Sequence, residues 1–111
     1  MKRIAVLGST GSIGANTLEV IAAHPDRLSL AGISARSRID LLEEQLIRYR
    51  PSLVAVLDEG GAQQLRARAG VPILSGVEGL IQLATHPDVD LVVVGTVGVD
   101  ALVPMLKAIE A

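Results

Sequence analysis

The stretch that most narrows the fold is IAVLGSTGSIG, residues 4–14, where an apolar run stops against seven residues that are nearly all glycine, serine or threonine. With helical periodicity directly behind it, this pattern reads as a buried strand handing over to a helix. Gly8, Gly11 and Gly14 fall on the handover. Glycine there lets the backbone turn tightly, lets a ligand approach without a Cβ in the way, and lets the helix settle close to the sheet. The N–H groups of the first helical turn have no intrahelical acceptor and carry the positive dipole end, so they face whatever sits on the turn. A pyrophosphate suits that position, with the hydroxyls of Ser9, Thr10 and Ser12 offering further hydrogen bonds. Gly8, Ser9, Thr10, Gly11, Ser12, Ile13 and Gly14 are therefore the first candidate binding residues. The spacing is G-x-x-G-x-x-G, whereas the common dinucleotide fingerprint is G-x-G-x-x-G; Thr10 holds the middle position and brings a Cβ to the point of closest approach.

Along the chain, apolar strands alternate with helical patterns. Strands are expected at 3–7, 28–34 and 53–57, a short apolar run at 71–74, and the most β-branched run, DLVVVG, at 90–95. Helices are expected at 12–23, with Ile13, Thr17, Val20 and Ile21 at helical spacing, and at 39–49, 61–69 and 101–111. Another is expected to open at a capping box formed by Ser75 and Glu78 and to run to about residue 85. Pro104 is tolerated only in or near a first turn. Strands apolar on both faces and joined by helix-length crossovers specify an α/β fold: a Rossmann-like, doubly wound, mainly parallel sheet with helices on both faces. Residues 1–111 read as one domain, since 111 residues, half of them apolar, can bury a single core.

Composition removes several function classes. With no cysteine, the chain offers no disulfide framework, no cysteine-based zinc site and no cysteine nucleophile. A pI of about 5.6 and a single aromatic residue, Tyr49, give neither the basic surface nor the stacking platform of a nucleic-acid binder. The apolar run after MKR ends at Gly8, too short for a signal-peptide core or a membrane span. The chain reads as soluble and cytoplasmic, with no nucleic-acid or membrane partner. HPD occurs at His24 and again at His86; metal ligation would need convergent carboxylates or cysteines, so the favoured role is helix termination, with His at the negative helix end and Pro as the stop.

The end of the second strand, ISARSRID, bears on which dinucleotide is bound. NAD-preferring folds place Asp or Glu there for the ribose 2'-hydroxyl, whereas this chain offers Ser34, Arg36, Ser37 and Arg38 and no carboxylate before Asp40. Guanidinium groups form charge-assisted bonds to a 2'-phosphate, so NADP(H) is favoured and Arg36, Ser37 and Arg38 join the candidate site. Ser37 also fits an N-cap with Asp40 at N3, a role compatible with the first. In VVVGTVGVD, Gly95 and Gly98 either let a loop pass beside the nicotinamide end or simply join strand to helix, and Asp100 suits a helix N-terminus.

The segment MKRIAVLGSTGSIGANTLEVIAAHPDRLSLAGISARS, with its LGSTGSIG and HPD motifs, resembles the N-terminal NADPH-binding domain of the 1-deoxy-D-xylulose 5-phosphate reductoisomerase family, as does the closing VGVDALVPMLKAIEA. Ala101 stands where that family usually has Gly, and residues 36–38 lie where it varies. The resemblance implies NADPH as cofactor, Mg or Mn in the intact enzyme with ligands outside this chain, a phosphorylated sugar substrate bound only by the intact enzyme, and a homodimer. It implies isomerisation and reduction of 1-deoxy-D-xylulose 5-phosphate to 2-C-methyl-D-erythritol 4-phosphate in non-mevalonate isoprenoid synthesis. No catalytic residue is expected in these residues, which by themselves should be inactive. Alternatives are another NADP-dependent reductase, such as a semialdehyde dehydrogenase, or a stand-alone nucleotide-sensing module.

Overall fold

A computed structural model describes residues 1–95. The residues expected to form the last helix, together with Gly98 and Asp100, lie outside the described residues. Five strands, β1 (Lys2–Leu7), β2 (Leu28–Ala35), β3 (Leu53–Val56), β4 (Ile73–Ser75) and β5 (Leu91–Val94), form a sheet of order β4-β3-β2-β1-β5. Every pairing is parallel. Four helices, α1 (Ser12–Ala23), α2 (Ile39–Tyr49), α3 (Glu59–Arg68) and α4 (Gly76–Ala84), make the crossovers.

Strand alternation divides the core as the sequence predicts. Ile4 and Val6 of β1 and Val54 and Val56 of β3 meet Leu18, Ile21, Leu42, Leu46 and Leu65 from α1, α2 and α3. Ala5, Leu7 and Ala55 turn to the opposite face and meet Leu80, Leu83 and Ala84 of α4. The chain winds outward through β1, β2, β3 and β4, then α4 carries it back across the sheet to β5, on the far side of β1. This reversal puts the carboxyl ends of β1 and β5 at a topological switch point, where open α/β sheets bind ligands. Among the described residues, no helix is long and apolar enough to cross a membrane.

Four local expectations are corrected. The buried face of α1 is Gly14, Leu18 and Ile21, while Ile13 and Val20 are 61% and 53% exposed. A glycine marks that face because its missing side chain is what allows the helix to approach. Ser75 occupies the N-cap of α4, but its hydroxyl donates to Glu59 Oε1 at 3.1 Å and makes no capping bond, so the capping box does not form. Ser37 does not cap α2: the N-cap position belongs to Arg38, Ile39 N–H donates to the Ser37 carbonyl at 2.9 Å, and Asp40 accepts from Arg68 Nη1 at 3.3 Å. The third helix starts at Glu59 rather than 61, because Asp58 caps it by accepting from Gly61 N–H at 2.9 Å. Both HPD histidines follow helices: His24 is the C-cap of α1, and His86 Nδ1 accepts from Asp88 N–H at 3.0 Å.

β5 is fastened to β1 by Asp90, whose carboxylate accepts from Arg3 N–H at 2.9 Å and from Arg3 Nε at 3.3 Å. The backbone hydrogen bond, followed by the guanidinium bonds and their charge, holds the Asp90 carboxyl below the usual carboxylate range. A carboxyl whose pKa is lowered by folding stabilises the fold fully above the unfolded Asp range and loses that contribution as pH falls through the lowered value. Asp90→Ala is therefore expected to lower the melting temperature at neutral pH, with the deficit against wild type closing on acidification and narrowing in added salt. Thermal melts across a pH series check this.

Candidate coenzyme-binding site

The β1–α1 turn occupies the switch point. Gly8 adopts φ 78°, a left-handed conformation that favours glycine. Its N–H donates to both the carbonyl and the hydroxyl of Ser34 at 3.1 Å, and Ser9 N–H donates to the same carbonyl at 2.8 Å, so the end of β2 holds the turn. Gly11 is the N-cap of α1 and supplies no capping side chain, and no acid lies in the first turn. The first-turn donors at Ser12 and Ile13, both on exposed residues, thus have neither a side-chain cap nor a neighbouring carboxylate to neutralise the dipole.

Gly14 is needed for packing. A Cβ built on it would overlap the Gly8 carbonyl oxygen and lie 2.6 Å from Ser9 Cα. Gly95, at the end of β5, closes on the same spot: its Cβ would lie 2.9 Å from Gly14 N and 2.9 Å from the Gly8 oxygen. Three glycines from two strand ends and a helix thereby bring their backbones together.

A cleft of about 210 Å³ opens beside this turn. Gly8, Thr10 and Gly11 line it together with Arg36 and Arg38, and Leu57 and Leu80 contribute apolar wall. Among the described residues, no carboxylate lines it. Asp58 is close in sequence to this wall, but its side chain caps α3. Two candidate stretches separated by more than twenty residues thus share one cavity, as the strand-end argument requires.

Other candidates fall elsewhere. Ser12 and Ile13 sit exposed on the helix start, Gly14 is buried behind the turn, and Ser37 is exposed on the β2–α2 bend but does not line the cleft. Ser9 is a correction: its side chain is fully buried and its hydroxyl donates to Gln45 Oε1 at 2.7 Å, so it is not directed at an anion. Sequence reasoning missed Gln45, whose Nε2 donates to the Ser9 carbonyl at 2.8 Å. It also passed over Ser34 as a support for the turn. Nothing in sequence spacing signals a contact between residues 9 and 45. Among the described residues no group of three or more His, Asp or Glu is placed to hold a metal ion.

The family model for 1-deoxy-D-xylulose 5-phosphate reductoisomerase matches residues 4–111. The chain belongs to the 1-deoxy-D-xylulose 5-phosphate reductoisomerase family. Over its whole length it is 48% identical to the reductoisomerase of Geotalea uraniireducens and 43% identical to reductoisomerase 1 of Bacillus cereus, covering 30% and 29% of those proteins. It therefore spans about a third of the length of the curated relatives it matches. A crystal structure of the reductoisomerase with NADPH, fosmidomycin and magnesium superposes with a TM-score of 0.88 at 35% identity, over 97% of this chain and 28% of that one. The Zymomonas mobilis enzyme in complex with NADPH superposes with a TM-score of 0.87 at 26% identity, over 97% and 29%. Membership of the reductoisomerase family sets aside the semialdehyde dehydrogenase alternative and agrees with the parallel, doubly wound sheet.

Proposed function

We propose that this chain is the NADPH-binding region of a 1-deoxy-D-xylulose 5-phosphate reductoisomerase, which isomerises and reduces that sugar phosphate to 2-C-methyl-D-erythritol 4-phosphate in isoprenoid synthesis. The observation that carries the proposal is one cleft lined both by the turn that leads into an uncapped helix start and by Arg36 and Arg38. The main-chain donors of Thr10, Ser12 and Ile13 hold the diphosphate, while Gly8 and Gly11 leave room for it. Arg36 and Arg38 hold the 2'-phosphate, with Ser37 beside them as a further donor, and Leu57 and Leu80 exclude water from the apolar wall. When bound, NADPH supplies the hydride for the reduction. The residues described contribute binding and orientation; the sugar phosphate, the divalent metal and the acid–base groups belong to the rest of the enzyme.

A homodimeric enzyme and a cytoplasmic location, which family membership implies, go with the same proposal. Calorimetric titration of the full-length chain with NADPH and with NADH tests it. Tighter binding of NADPH by roughly tenfold or more is expected from the added charge-assisted bonds. Binding of neither coenzyme, or equal binding of both, contradicts it.

A further inference from the structure

We propose that Gln45, on α2 and outside the cleft, is a positioning residue for the coenzyme diphosphate, acting through the Ser9–Thr10 peptide. This rests on the reading of the turn as a diphosphate site. Ser9 is fully buried and every polar group it has is committed: its N–H donates to the Ser34 carbonyl at 2.8 Å, its hydroxyl donates to Gln45 Oε1 at 2.7 Å, and its carbonyl accepts from Gln45 Nε2 at 2.8 Å. A trans peptide is planar, with its C=O and the following N–H pointing opposite ways, so fixing one fixes the other. With the Ser9 carbonyl drawn back to α2, the Thr10 N–H is directed away from α2. That N–H makes no hydrogen bond within the described residues, and Thr10 lines the cleft. Gln45 thus aims a main-chain donor at the anion. It is suited to this because its amide donates and accepts at once, matching the Ser9 carbonyl and hydroxyl together.

The test uses the full-length chain and four proteins: wild type, Gln45→Leu, Gln45→Glu and Ser9→Ala. Gln45→Leu removes both bonds. Gln45→Glu keeps an acceptor for the Ser9 hydroxyl but has no donor for the carbonyl when ionised. Ser9→Ala keeps the carbonyl bond and loses only the hydroxyl. Dissociation constants for NADPH and NADH are measured well below the melting temperature of each variant. Both Gln45 variants are expected to weaken both coenzymes alike, by roughly tenfold, the scale of one hydrogen bond to a charged group, and Ser9→Ala to stay within about threefold of wild type. A role confined to stability lowers the melting temperature and leaves the dissociation constants unchanged, which overturns the inference. So does a loss restricted to NADPH, or a Ser9→Ala loss as large as that of the Gln45 variants. If Gln45→Leu does not fold, Gln45→Glu alone decides on the same criteria. Wild type binding neither coenzyme overturns the diphosphate reading itself, an outcome separate from a wild type that binds and a Gln45 variant that binds as well.

Discussion

Replacing both Arg36 and Arg38 with alanine is expected to weaken NADPH binding by about 2 to 4 kcal/mol, roughly 30-fold to 1000-fold, while leaving NADH binding nearly unchanged. The asymmetry follows from where the guanidinium groups lie. Both line the same cleft as Gly8, Thr10 and Gly11 of the glycine turn, on the segment that follows β2. The two coenzymes share the diphosphate and differ by the 2'-phosphate, so a loss confined to NADPH locates the side chains at that phosphate. Fold stability should change little, because both residues are exposed beyond the end of β2. Calorimetric titration of both coenzymes against the double variant is the measurement; equal losses would place the arginines elsewhere on the coenzyme.

Gly14→Val is expected to act through the fold and to remove binding of both coenzymes. The new Cβ would meet backbone atoms of the turn, the Gly8 oxygen and Ser9 Cα, rather than the free end of a flexible side chain. Gly95 is packed against the same spot, which leaves the helix little room to shift. Overpacking of this kind typically costs 1–3 kcal/mol where neighbours yield, and here the neighbours are main chain, so a destabilisation of about 3 kcal/mol or more is expected. In a domain of this size that corresponds to a fall in melting temperature of roughly 10–20 °C. Thermal unfolding followed by circular dichroism measures it, and a Gly14→Val protein that melts like wild type would mean the turn and helix are not in close contact. Gly11→Ala makes the useful contrast, since its Cβ would meet the Gly95 and Gly8 oxygens at 3.6 and 3.7 Å, an ordinary contact.

Much of this arrangement is legible in the sequence because strands buried on both faces and glycine at a strand-to-helix handover are local signals. The parallel pairing follows from helix-length crossovers, while the strand order β4-β3-β2-β1-β5, with its reversal at β1, is settled by packing through space. What the sequence hides are choices made through space. Ile13 and Val20 look like a buried stripe, yet α1 turns Gly14, Leu18 and Ile21 inward because the turn demands contact at Gly14. Ser75 and Ser37 sit where capping residues belong, but one hydroxyl is taken by Glu59 and the other residue lies one position too early. Ser9 looks like a ligand contact in a hydroxyl-rich loop and is instead captured by Gln45, 36 residues away. The register shift between β1 and β2, where Ile4 pairs with Leu30 and Ala5 with Gly32 so that Ala31 is the extra residue on β2, is also silent in sequence; at Gly32 the missing side chain makes space for Leu83 of α4. The candidate site residues stand out where chemistry is concentrated in a short run, whereas the support that another element gives the turn leaves no such mark.

The claim on which the rest depends is that the coenzyme diphosphate rests on the main-chain donors between β1 and α1. Amide chemical-shift mapping of the full-length protein during titration with NADPH tests it most directly. The largest shifts are expected at Thr10, Ser12 and Ile13, with NADH producing the same pattern there and a weaker one at residues 36–38. Saturable binding that leaves the amides of 8–14 unmoved would contradict the account.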